Sequence, residues 1–183
     1  SEQYSTDSET VASVLWDLHI SGLIEGKIVC DLGAGTGILG IGALFLGAKE
    51  CYFVERNEES IKILKSNLKM IEQGKAIVIN KDISNLSDKD FKGKVDLILQ
   101  NPPFGTKKRN ADKEFLERAF STSHYVLSFH KSSTERFIRA ISRDYGFSIC
   151  KRWDFSYPLK KSFLFHKSRI KYIDVSCFFF VKD

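Results

Sequence analysis

The chain has 183 residues, a one-domain length, of which 43% are hydrophobic and 28% charged, with three prolines; this excludes a disordered or fibrous chain and provides enough core to fold without disulfides or structural metals. The net charge of +5 is uneven, because residues 1–90 hold 9 Lys/Arg against 14 Asp/Glu (net −5) and residues 91–183 hold 19 against 9 (net +10). Such polarisation fits one basic face for a polyanion, or two ordinary solvated surfaces.

In chain order, Thr6 and Asp7 offer caps and Val11, Val14, Leu15 and Leu18 follow at helical spacing, predicting an amphipathic helix over 7–20. Residues 27–32 (K-I-V-C-D-L) read as a buried strand running into glycines, 38–46 as a helix, and 50–54 as a second strand with Glu55 at its end. Asn57 caps a helix whose apolar face comprises Ile61, Ile63, Leu64, Leu68 and Ile71. Short strands follow within 75–80 (A-I-V-I) and 95–100 (V-D-L-I-L-Q), the second ending at Pro102 and Pro103. Beyond a polar loop at 105–111 come a helix from about Asp112, a strand at 125–129 and a helix at 133–144. Two long strands, 147–155 and 171–181, close the chain as an expected antiparallel hairpin. Alternating strands and helices with near-continuous apolar strands predict a mostly parallel sheet covered on both faces. No linker or repeat interrupts this pattern, so 1–183 reads as one domain.

Cys30, Cys51, Cys150 and Cys177 form no Cys-x-x-Cys pair, and three lie in apolar runs, which predicts buried thiols in a reducing compartment rather than a zinc site or disulfides. No signal peptide is visible, and the most apolar stretch, 38–48, is too short to span a bilayer. A soluble chain of the cytoplasm or nucleus is expected, with no membrane association. It begins with Ser1 rather than Met, as expected of a truncated or processed form.

The first chemical signal is D-L-G-A-G-T-G at 31–37, directly after a strand and opening a helix. Glycines there permit positive φ and close approach of a ligand, and the helix N-terminus supplies free N–H groups. Glu55, at the end of the second strand, is placed to accept from ribose hydroxyls, and Asp82, after the third, from an adenine amino group. Gly35-x-Gly37-x-x-Gly40 also matches a dinucleotide fingerprint, while the D-x-G-x-G-x-G form resembles the cofactor loop of class I methyltransferases, so the glycines leave NAD and S-adenosyl-L-methionine both open.

Asn101-Pro102-Pro103-Phe104 decides between them. Two successive prolines fix φ and remove two backbone donors, leaving a rigid turn of carbonyl acceptors. The Asn101 side chain adds an acceptor, and Phe104 a flat face on which a base stacks. An amino group on an aromatic ring is a poor nucleophile because its lone pair is delocalised. Two acceptors that take its protons hold the nitrogen towards a pyramidal geometry and free the lone pair for in-line attack on a sulfonium methyl. Hydride transfer to or from NAD has no use for such a turn.

These motifs resemble the class I methyltransferases that modify exocyclic or amide nitrogens through [NDS]-P-P-[FYW]. More narrowly, the chain resembles the methyltransferase-like 5 family of small-subunit ribosomal RNA N6-adenosine methyltransferases. The likeness runs through Glu2-Gln3-Tyr4-x-Thr6, the glycine motif, Leu46-Gly47-Ala48, N-P-P-F-G-T from Asn101, His130-Lys131-Ser132-Ser133 and Phe165-His166-Lys167. It implies a single Rossmann-like α/β domain with a seven-stranded sheet of order 3-2-1-4-5-7-6. It further implies that Gln3 and Thr6 close over the methionine part of S-adenosyl-L-methionine and that Asp31, Gly33, Gly35, Thr36, Gly37 and Ile38 cradle it. Glu55 would take the ribose, where the family commonly has Asp. Asp82 and Ile83 would meet the adenine, and Asn101, Pro102, Pro103 and Phe104 the target base. Members usually carry an additional N-terminal helix that this sequence does not contain.

Lys107, Lys108 and Arg109 follow the turn, while Lys160, Lys161, His166 and Lys167 cluster before the last strand, interleaved with Phe163 and Phe165. With Lys131, they form the expected RNA face: cations for phosphates and aromatics for exposed or flipped bases. His130 and His166 read as packing or phosphate-contacting residues, and no metal is expected. In the implied strand order, the uncharged run from Ala76 to Ile79 lies on a sheet edge and invites strand addition. Eukaryotic family members pair with a small zinc-ribbon activator, which makes such a heterodimer the expected partner besides ribosomal RNA. Protein glutamine N5-methylation, DNA adenine methylation and a cofactor-bound RNA scaffold without turnover remain the alternatives.

Overall fold

A computed structural model describes residues 7–103, 111–158 and 172–183. The first helix, α1 (Ser8–Ile20), leads into β1 (Ile28–Leu32), α2 (Ile38–Phe45), β2 (Glu50–Glu55), α3 (Glu58–Leu68) and β3 (Lys75–Asn80). The second half runs β4 (Leu97–Gln100), α4 (Ala111–Thr122), β5 (Tyr125–Lys131), α5 (Glu135–Asp144), β6 (Phe147–Pro158) and β7 (Tyr172–Lys182). The seven strands form one sheet of order β3-β2-β1-β4-β5-β7-β6. It is parallel from β3 to β5 and antiparallel where β7 pairs with β5 and β6. This is the implied order, and it puts β3 on one edge with Ile77, Val78 and Ile79 half-exposed.

Alternation along the strands divides the core between the two faces. Val29, Cys51, Phe53, Leu97, Leu99 and Leu127 pack with Val11, Val14, Leu15 and Leu18 of α1 and with Ala43, Leu44 and Leu64 of α2 and α3. The intervening residues Cys30, Leu32, Tyr52, Val54, Ile98 and Val126 pack with Leu116 and Phe120 of α4 and Ile138 and Ile141 of α5. Burial on both faces explains why these strands are apolar throughout.

Several boundaries differ from expectation for local reasons. Asp7 stands at the α1 N-cap, but its side chain makes no capping bond. Asn57 caps α3 as expected, its Oδ1 accepting from Ser60 N at 2.9 Å. The buried stripe of that helix is narrower than predicted: Ile61 and Leu64 are buried, Ile63 is half exposed, and the helix ends before Ile71. Residues Ser132–Thr134 form a 3₁₀ turn, so α5 starts at Glu135. A register shift between Ile149 and Lys151 on β6 leaves Cys150 out of the ladder and exposed. The buried-thiol expectation holds for Cys30, Cys51 and Cys177, the three cysteines in apolar runs. Among the described residues, no helix is long and apolar enough to cross a membrane.

The strand order reverses at the centre of the sheet, since the chain winds outward from β1 through β2 to β3 and then returns to β4. The crevice at the carboxyl ends of β1 and β4 is therefore the switch point where α/β folds bind ligands.

Candidate cofactor and base-holding site

The glycine loop is built on the end of β1. Gly33 and Ala34 donate their N–H groups to Val54 O at 2.8 and 3.0 Å, which ties the loop to the neighbouring strand. Gly33, Gly35 and Gly37 have φ of +70°, +55° and +94°, a region that strains other residues. Their surroundings separate their roles. A Cβ at Gly33 would lie 2.8 Å from the Phe115 ring of α4, and one at Gly40 would enter the Phe53 ring of β2, so these two positions allow close packing. A Cβ at Gly35 would meet nothing within 4 Å. The loop is thus open at Gly35 for a ligand to lie against the backbone, which suits the implied cofactor.

Acidic side chains fix the loop's shape. Asp31 is 1% exposed, and its Oδ2 accepts from Gly40 N at 2.8 Å, joining β1 to the first turn of α2. Burial pushes its carboxyl up to about 7 against the opposing effect of the Gly40 hydrogen bond, and the Glu55 charge raises it further. Glu55 Oε2 accepts from Gly35 N at 2.8 Å, while Oε1 accepts from Arg56 N at 2.9 Å and Asn57 N at 2.8 Å. A carboxylate has about four acceptor sites, so three bonds leave Glu55 room for a ribose hydroxyl. Asp82 has a similar arrangement. Its Oδ1 accepts from Ser84 N at 3.0 Å and Oγ at 2.8 Å, and its Oδ2 from Arg56 Nη1 at 2.8 Å. The Ser84 N–H, with Arg56 next, lowers its carboxyl to about 2.

Ile83 is 8% exposed and belongs to the apolar cluster under α4. Thr36 and Ile38 are exposed. Thr36 O accepts from Asn67 Nδ2 at 3.0 Å, and both residues line an apolar groove of about 990 Å³ between α1, α2 and the end of α3.

The second motif reaches the same crevice. Leu32 pairs with Gln100 across β1 and β4, so Gly33 and Asn101 leave adjacent strands at the same level. Asn101 and Pro103 are half-buried and Pro102 is buried. The glycine loop and the proline turn therefore flank one opening. Lys131 ends β5 on this same carboxyl edge and is half-buried. His130 is fully buried, which corrects its phosphate-contacting alternative and leaves the packing role. Gln3, Thr6, Phe104, Lys107, Lys108, Arg109, Lys160, Lys161, His166 and Lys167 lie outside the described residues. Among the described residues, no group of three His, Cys, Asp or Glu side chains is arranged to hold a metal.

The family described as conserved hypothetical protein 95 matches residues 9–148. The rRNA N(6)-adenosine-methyltransferase METTL5 of Danio rerio is 33% identical over 171 residues, covering 92% of this chain and 82% of the relative. Its Drosophila melanogaster counterpart is 32% identical, covering 95% and 83%. A Pyrococcus horikoshii crystal structure, provisionally assigned as an RNA methyltransferase, is 38% identical with a TM-score of 0.83, covering 99% of this chain and 88% of that one. The chain belongs to this methyltransferase family. Membership agrees with the seven-stranded order and with the pairing of a glycine loop and an N-P-P turn at one opening.

Two features of the family member's site were not anticipated from sequence. Arg56 reaches from the end of β2 to Asp82 and braces the crevice wall. Behind the proline turn, Gln100, Ser128 and His130 form a buried polar line. Gln100 was the available signal, as an amide closing an otherwise apolar strand.

Proposed function

We propose that the chain transfers a methyl group from S-adenosyl-L-methionine to N6 of adenosine in structured RNA, most specifically small-subunit ribosomal RNA. The observation that carries this reading is the level exit of Gly33 and Asn101 from paired strands, which brings the cofactor loop and the base-holding turn to one opening. Relatives named as rRNA N6-adenosine methyltransferases support the substrate class.

The bound cofactor supplies an electrophilic sulfonium methyl. Gly35 gives access to the backbone, Glu55 takes the ribose hydroxyls, and Asp82 with Ile83 receives the adenine end. Asp31 holds the loop against α2. Gln3 and Thr6 close over the methionine part, and Thr36, Gly37 and Ile38 complete the cradle. Asn101 Oδ1 and a carbonyl of the Asn101–Pro102–Pro103 turn accept the two N6 protons of the target adenine, which stacks on Phe104. Held at the glycine loop, the cofactor would supply the methyl group that the freed N6 lone pair takes up, its sulfur keeping the electron pair of the carbon–sulfur bond, and the surplus proton on N6 would pass to solvent. Positioning and fixed dipoles provide the catalysis, with no strong base.

Lys107, Lys108, Arg109, Lys131, Lys160, Lys161, His166 and Lys167 would neutralise phosphates around the opening. A small zinc-ribbon activator would add a strand to β3, whose edge position and half-exposed Ile77, Val78 and Ile79 suit such pairing. A chain with this substrate would work in the cytoplasm or nucleus.

Incubation with methyl-labelled cofactor and separate pools of RNA, DNA and protein tests the reading. Label in RNA, released by digestion as N6-methyladenosine, is the expected result. Label confined to protein or DNA would replace it with glutamine N5 or DNA adenine methylation, and binding without transfer with a scaffold role.

A further inference from the structure

The buried polar line behind the proline turn is costly for a core to contain. Gln100, Ser128 and His130 are each 0% exposed, on the sheet face occupied by Ile98, Val126, Phe178 and Phe180. Buried polar groups lower stability unless bonded, and three apolar side chains would fill this space without that cost. The line has a defined course. Gln100 Nε2 donates to Ser128 Oγ at 2.9 Å, and Ser128 Oγ lies 2.6 Å from His130 Nε2. His130 Nδ1 faces Asp112 Oδ2 at 4.0 Å.

The two ends of this line are informative. Gln100 is the last residue of β4, immediately before Asn101, and Asp112 lies in the first turn of α4. The segment carrying the N-P-P turn therefore begins and ends on groups that converge on the same two β5 side chains. The donors can also be assigned. The Asp112 carboxylate stands 4.0 Å from Nδ1, an ion-pair distance rather than a hydrogen bond, and favours the ring proton on that side, which leaves Nε2 as the acceptor. Ser128 then donates its hydroxyl hydrogen to Nε2 while accepting from the Gln100 amide. The two hydrogen bonds then donate in one direction, from Gln100 through Ser128 to His130, while Gln100 Oε1 and His130 Nδ1 have no hydrogen-bond partner among the described residues.

We propose that Gln100, Ser128, His130 and Asp112 form a clasp that sets the position of the Asn101 turn, with His130 as its central positioning residue. This rests on the reading of that turn as the holder of the target base. The clasp touches neither cofactor nor substrate; it acts on methyl transfer through the angle at which Asn101 presents its acceptor, where a displacement of about 1 Å costs on the order of 10²-fold in rate.

His130→Phe keeps an aromatic ring in the apolar site but removes both polar contacts. With an adenosine-containing RNA oligonucleotide as substrate, it is expected to lower kcat by about 10–100-fold. Cofactor Kd should stay within about twofold and the melting temperature should change little, the apolar ring offsetting the loss of the Ser128 bond. His130→Gln, which can bond Ser128 again, should recover part of the rate. Ser128→Ala and Asp112→Leu should be non-additive in kcat, as members of one chain. Unchanged kcat in His130→Phe would overturn the clasp, as would parallel losses of kcat, cofactor affinity and melting temperature. Imidazole ¹⁵N NMR of the wild-type chain, with His130 assigned from the His130→Gln spectrum, provides a test independent of activity. A protonated Nδ1 with a bare Nε2 is expected, and a protonated Nε2 contradicts the clasp. If the wild-type chain methylates no RNA, the functional reading fails, while the tautomer still decides the hydrogen-bond chain.

Discussion

Glu55 Oε2 accepts a hydrogen bond from Gly35 N at 2.8 Å, so the acid proposed to bind the ribose also holds the loop proposed to cradle the cofactor. The link joins the ends of two adjacent strands, β1 and β2. Removing it loosens the loop and deletes a charged acceptor together. Glu55→Ala is expected to weaken S-adenosyl-L-methionine binding by about 10–100-fold, in keeping with the roughly 1.5–3 kcal/mol of a hydrogen bond to a charged group. Calorimetric titration measures this, and an affinity within twofold of wild type would count against the ribose role.

The glycines of the loop should fail in different ways. Gly40→Ala drives a methyl into the Phe53 ring and the Cys51 sulfur and prevents α2 from seating on the sheet. A stability loss of about 1–3 kcal/mol follows, visible in thermal or urea unfolding. Gly35→Ala adds a methyl to open space, at a backbone cost of about 1–2 kcal/mol for its positive φ. Its cofactor affinity should drop by more than its stability alone accounts for, because the methyl occupies the ligand's approach.

Asp31 makes stability depend on pH with a definite sign. Burial raises its carboxyl in the folded chain from 3.8 to about 7, so between those values the native state keeps a proton that the unfolded state has lost. Stability from this group is full below the lower value and declines as pH rises towards 7, then levels off. Asp31→Asn retains an oxygen for Gly40 N–H and does not ionise. Its melting temperature should gain on wild type by several degrees (about 4 °C or more) between pH 4 and pH 8. Parallel melting curves for the two proteins across this range would contradict the assignment.

The sequence made the parallel sheet readable because β1, β2 and β4 are buried on two faces and so are largely apolar, as in K-I-V-C-D-L and V-D-L-I-L-Q. The site was readable because glycines, an acid and two prolines each carry a backbone consequence at a strand end. Side-chain partnerships were not readable in the same way. Arg56 pairs with Asp82 across 26 positions and Gln100 with Ser128 across 28, and no local periodicity encodes such distances. The Cys150 bulge was missed because a register shift between two strands leaves no mark on the hydrophobic pattern of either.

On the proposed function, an activator would dock on the β3 edge. Mixed with a small zinc-ribbon methyltransferase activator, the chain should form a 1:1 complex by light scattering. Amide hydrogen exchange of residues 75–80 should slow by about tenfold or more, since strand addition protects backbone N–H groups. A chain that stays monomeric and fully active, with no gain from the activator, would contradict this docking.

The central claim is that Asn101 and its proline turn hold an adenine for methylation by a cofactor bound at the glycine loop. Single-turnover transfer from methyl-labelled cofactor to small-subunit ribosomal RNA, followed by nucleoside analysis, tests it for wild type and Asn101→Ala side by side. The account predicts N6-methyladenosine with wild type and a loss of at least about 100-fold with Asn101→Ala, while cofactor affinity stays within a few-fold. Transfer by Asn101→Ala at near wild-type rate, or wild-type label on any other nucleoside, would contradict it.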